Sequence, residues 1–76
     1  MNVEKIVADR LEKITLGGFD VFKVSREAFK IYQEFGLSLT QDLDRVLLSL
    51  MVMEEGPEFE VTEQEFRSLL SEIRKI

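Results

Sequence analysis

Neither cysteine nor histidine occurs in this 76-residue chain, and tryptophan is missing as well. Without cysteine there is no disulfide and no thiolate ligand, and without histidine the commonest metal ligand and general base is gone. Zinc centres, Cys/His and Ser/His nucleophile pairs and haem ligation through these residues are thereby excluded. No apolar run approaches the roughly 20 residues of a membrane span, and Met1-Asn2-Val3-Glu4-Lys5 lacks the basic region and apolar core of a signal peptide. These absences predict a soluble protein of the cytoplasm that carries no cofactor.

Positive charge is also in short supply. Ten Lys and Arg face fifteen Asp and Glu, for a formal charge of −5, which disfavours general attraction to nucleic acid or to an anionic membrane. The acidic residues are unevenly placed: Glu54, Glu55, Glu58, Glu60, Glu63 and Glu65 follow one another with no basic residue among them. A hydrophobic content of 45% with six phenylalanines is nevertheless that of a packing protein and not of a disordered tail. The length predicts a single domain over residues 1–76, near the size at which one core buries only about 60% of the unfolded chain's surface.

A repeat organises what is present. Phe22-Lys23-Val24-Ser25 followed by Phe29-Lys30 reappears 37 positions later as Phe59-Glu60-Val61-Thr62 followed by Phe66-Arg67. Each copy joins an alternating apolar triplet to a hydroxyl residue suited to capping and then to a helical apolar pattern. Val3, Ile6, Val7, Leu11 and Ile14 predict a first helix over about 3–15, capped by Asn2 and stopped at Gly17-Gly18. Phe19 to Val24 reads as a short strand, and a second helix starts at Ser25 and ends before Gly36. Ser38 or Thr40 caps a third helix carrying Leu43, Val46, Leu47, Leu50 and Met51, apolar nearly all round and expected to be the most buried. Gly56-Pro57 breaks it, Phe59 to Val61 reads as the second short strand, and Thr62 with Glu65 forms a capping box for the fourth helix. The expected fold is mostly α, with four helices arranged as two helix-strand-helix halves, about 2–38 and 39–75, whose two very short strands pair antiparallel. Phe22, Val24, Phe29, Leu47, Leu50, Phe59, Val61, Phe66 and Leu70 are the expected core.

From Leu50 onward the pattern resembles one half of an EF-hand. A twelve-position loop ending at Glu65 begins at Glu54, and it sets Val61 at the inter-loop strand position, Thr62 at the ninth position and Glu65 at the twelfth, where that family's bidentate carboxylate sits. Gly56 stands at the third position and Phe59 at the sixth, and the corresponding first loop, Gly17 to Ala28, has Phe19, Val21 and Ala28 at ligand positions. The resemblance implies a paired helix-loop-helix fold without a calcium switch, and we expect no metal site. A second stretch, Gly36-Leu37-Ser38-Leu39-Thr40-Gln41-Asp42-Leu43 continued by Val46 and Leu47, is similar to the start of the second helix in ribbon-helix-helix repressors and antitoxins. That resemblance implies a dimer whose ribbon, Phe22-Lys23-Val24, enters the major groove; its outward residues here are Val21 and Lys23.

No catalytic constellation emerges, and we expect no enzyme. The favoured expectation is a small non-catalytic protein-protein interaction or regulatory module. The alternatives are a dimeric ribbon-helix-helix DNA-binding regulator or antitoxin and, third, a calcium-binding protein of EF-hand type. The expected partner is another protein, a basic one included, or a second copy in a homodimer; nucleic acid and membrane are not expected. The candidate contact residues are Glu54, Glu55, Glu58 and Glu60 of the acidic stretch, with Leu37 and Leu39, because acidic clusters steer basic partners and exposed apolar side chains mark contact sites.

Overall fold

A computed structural model describes residues 2–75, and over them the backbone forms helices and turns with no strand. Four α-helices, α1 (Val3–Lys13), α2 (Val21–Phe35), α3 (Gln41–Met51) and α4 (Glu63–Lys75), are joined by short turns, three of them 3₁₀ (Gly36–Ser38, Val52–Glu55 and Pro57–Phe59). Each start has a local cause. The Asn2 side chain accepts the Lys5 N–H, Asp20 accepts those of Phe22 and Lys23, and Thr40 accepts that of Leu43, so each satisfies backbone donors that a helix leaves free at its first turn. At α4 the capping box closes in both directions: the Thr62 N–H donates to Glu65 at 2.9 Å and the Glu65 N–H donates to the Thr62 hydroxyl at 3.1 Å. The turn after α1 needs glycine, since Gly18 has φ +126°, a conformation in which a Cβ is strained.

The two expected strands are not formed, and the two segments fail for different reasons. Phe19 to Val24 was expected to be extended, but Asp20 is an N-cap and α2 starts at Val21, four residues before Ser25. Val21, Val24, Ala28, Ile31, Tyr32 and Phe35 make one helical stripe, and the burial of that stripe outweighs the β-propensity of Val21, Phe22 and Val24. At the second segment, Pro57 carries no N–H and has a fixed φ. The chain winds there into a 3₁₀ turn in which the Phe59 N–H donates to the Gly56 carbonyl and the Glu60 N–H to that of Pro57. The Val61 N–H is given to the Met53 sulfur at 3.4 Å, so no strand ladder is begun.

The core is built from all four helices. Val7, Ala8 and Leu11 of α1 meet Val24, Ala28 and Ile31 of α2, Leu43, Leu47 and Leu50 of α3, and Phe66, Leu70 and Ile73 of α4, with Met53 filling from the turn after α3. Helix α2 packs chiefly on α3, and α1 on α4, with α1 and α2 also in contact. Arg10 of α1 ties α2 by bonding Glu27 at 2.7 Å and also Glu34. Arg74 of α4 reaches back to Asp9 at 2.9 Å and Glu12 at 3.4 Å. Ser25, early in α2, donates its buried hydroxyl to the carbonyl of Met51 at the end of α3, 2.7 Å away. That bond shows the two helices running antiparallel.

The expected core holds at Val24, Leu47, Leu50, Phe66 and Leu70. It does not hold at Phe22, Phe29 and Phe59, which are exposed, and Val61 is only half-buried. Once Val24 and Ala28 face inward on α2, helical geometry turns Phe22 and Phe29 roughly 100–160° away from them. Phe66, by contrast, lies on the inner stripe of α4, its ring 5.4 Å from that of Phe19. Nor is α3 buried on every side, because Leu48 lies on its outer face.

Candidate functional site

Residues of α2 and of the α3 end enclose a surface groove of about 650 Å³. The geometry follows from the stripe described above. Phe29 stands at the edge of the α2 stripe and Leu48 at the edge of the α3 stripe, so both flank the seam without filling the core. Met51 and Val52 form the rest of the apolar floor, and the hydroxyl of Ser25 is turned beneath it toward the Met51 carbonyl. Phe22, two turns before Phe29, continues the apolar edge along α2 with 60% of its surface open to solvent.

The walls carry opposite charges. On the α2 side stand Arg26 and Lys30, with Lys23 one turn before Arg26. On the other side the 3₁₀ turn after α3 presents Glu54 and Glu55. Among the described residues none of these five enters an ion pair. Glu27 and Glu34, the acidic residues of α2, face α1 instead and are taken up by Arg10. Their hydrogen bonds, that of Glu34 foremost, hold the Arg10 guanidinium above its ordinary pKa against the cost of partial burial. Helix α2 therefore carries a cationic edge that enters no ion pair among the described residues, on a chain of net negative charge.

The candidate contact residues separate into different places. Glu54 and Glu55 line the groove, whereas Glu58 and Glu60 are exposed around the turn Pro57–Phe59 and are not among its lining. Leu37 is fully exposed in the turn Gly36–Ser38, and Leu39 is half-buried against the core. Both lie before α3 and Glu54 lies after it, so an eleven-residue helix of about 16 Å stands between the two groups. Within the rest of the acidic stretch, Glu63 pairs with Arg67 and Glu65 is committed to the α4 cap. The Thr62 backbone N–H, and then its hydroxyl, hold the Glu65 carboxyl below its usual pKa. Among the described residues no cluster of three or more His, Cys, Asp or Glu side chains is placed to hold a metal ion. At the other end of the α2–α3 seam the Asp44 carboxylate, by its charge and then by hydrogen bonding, raises the pKa of the Tyr32 phenol.

Comparison of the chain with protein-family models, with curated proteins and with solved structures finds no match. The groove and its charges are thus the basis for a functional reading. Sequence reasoning passed over Phe29, Arg26 and Lys30 as a surface. The signal was available in the seven-residue spacings Phe22/Phe29 and Lys23/Lys30, which fall on one helix edge once Asp20 is recognised as the cap.

Proposed function

We propose that this chain is a non-catalytic protein-binding module whose working surface is the α2–α3 groove. The observation that carries the reading is exposed apolar surface, Phe29 and Leu48 over Met51 and Val52 with Phe22 further along α2, left in water beside charges of both signs that enter no ion pair among the described residues. Exposed apolar surface ringed by polar groups is the common form of a contact site, and aromatic and Met side chains supply most of its affinity. The groove's polar groups are two cations, two carboxylates, the Gln33 amide and one hydroxyl already donated to a backbone carbonyl. That set suits docking by charge and burial, and its one hydroxyl donates to a backbone carbonyl and not to a base.

A photo-crosslinking residue at position 29, expressed in the native cell, tests the assignment against the same residue at exposed Ser68 on α4. Protein adducts should form at position 29, fall on Leu48→Asp, and be scarce at position 68. Equal yields at the two positions would remove the groove as the working surface.

A further inference from the structure

The groove has a property that a general docking surface lacks: it complements itself. One wall is basic, through Arg26 and Lys30, and the other acidic, through Glu54 and Glu55. When two copies face each other about a two-fold axis running along the groove, the basic wall of each lies over the acidic wall of the other. An axis running across the groove sets like charge on like charge, so the charges select a single orientation. Resting on the reading of the groove as a binding surface, we infer that its occupant is a second copy of this chain, bound as an isologous homodimer through the α2 edge and the turn after α3.

Two further observations favour this occupant. The apolar strip runs from Phe22 to Phe29 on α2, about 10 Å along the helix, with Leu48 across the seam. A two-fold partner presents the same strip in return, so the two copies remove apolar surface from water together. Association also suits a chain near the size at which one core is marginal and with no disulfide to supplement it.

Charge reversal tests the inference directly. The double variant Arg26→Glu, Lys30→Glu makes both walls acidic, and Glu54→Lys, Glu55→Lys makes both basic. Each replacement changes the formal charge by two, which takes the chain from −5 to −9 in the first variant and to −1 in the second. Sedimentation equilibrium should show a dimer for wild type. It should show dissociation constants raised by about tenfold or more for each variant alone, and recovery of a heterodimer when the two are mixed. The four replaced residues, Arg26, Lys30, Glu54 and Glu55, are exposed, so retained helical circular dichroism shows that folding is not the cause.

The basic-walled variant separates local pairing from net repulsion. It is closer to neutral than wild type, yet it should associate less. Wild type that stays monomeric at millimolar concentration, a basic-walled variant that dimerises as well as wild type, or a mixture that fails to associate would each overturn the inference. Adducts at position 29 with a different protein and none with a second copy would overturn it too, while leaving the binding-module reading in place.

Discussion

Phe29 and Phe66 occupy the same position of the 37-residue repeat, and truncating each to alanine is the sharpest test of the fold. Phe66 is 1% exposed and packs against Phe19, whereas Phe29 is 49% exposed at the groove edge. Burying a phenylalanine side chain fully is worth about 1.5–3 kcal/mol in transfer. Deleting one from a closed core adds the cost of the cavity, for a total of about 3–5 kcal/mol. For Phe29 about half of the transfer contribution is at stake and no closed cavity forms, so the expected cost is about 1 kcal/mol. A chain of 76 residues at roughly 0.05–0.15 kcal/mol each has a stability of about 4–11 kcal/mol, so Phe66→Ala removes about a quarter of it or more. Urea unfolding followed by far-ultraviolet circular dichroism reads the difference. With a slope near 1 kcal/mol per molar for so small a domain, Phe66→Ala should lower the midpoint by about 3–5 M, or leave the chain unfolded in water, and Phe29→Ala by about 1 M. The comparison belongs at protein concentrations low enough that the wild-type midpoint no longer depends on concentration. Comparable losses at the two positions would refute the assignment of Phe29 to the surface and Phe66 to the core.

Other perturbations have equally definite outcomes. Ser25→Ala leaves the Met51 carbonyl without its side-chain donor and should cost about 1–2 kcal/mol with an unchanged urea slope. Glu65→Ala removes a carboxylate whose pKa is lowered by the folded state. Its deficit relative to wild type should be full above the ordinary glutamate pKa and should shrink as pH falls through the lowered value, because protonation then costs the wild type the same capping interaction. A deficit that grows on acidification would contradict that sign. Arg10→Ala, which frees Glu27 and Glu34 from α1, should cost about 1 kcal/mol, and less as salt is raised. Leu37→Ser, at a fully exposed turn position, should leave the unfolding free energy within about 0.5 kcal/mol of wild type by urea titration.

What the sequence determined alone is the part that rests on neighbours along the chain. Asn2, Thr40 and the Thr62/Glu65 pair were legible as caps because a cap is a bond between residues three apart. The breaks at Gly17-Gly18 and Gly56-Pro57 were legible because the backbone freedom of glycine and the missing N–H of proline act where they stand. Val24, Leu47, Leu50, Phe66 and Leu70 could be placed in the core from helical spacing. Tertiary structure decided the rest. Phe19 to Val24 has strand composition, yet a strand needs a partner across the fold, and Pro57 with its 3₁₀ turn removes the one that the repeat appeared to supply. A single cap at Asp20 then adds a full turn to α2 and re-aims Phe22 and Phe29. The groove was out of reach for the same reason: its basic wall comes from residues 26 and 30 and its acidic wall from 54 and 55. Only the antiparallel packing of α2 on α3, anchored by Ser25 on the Met51 carbonyl, brings those walls face to face.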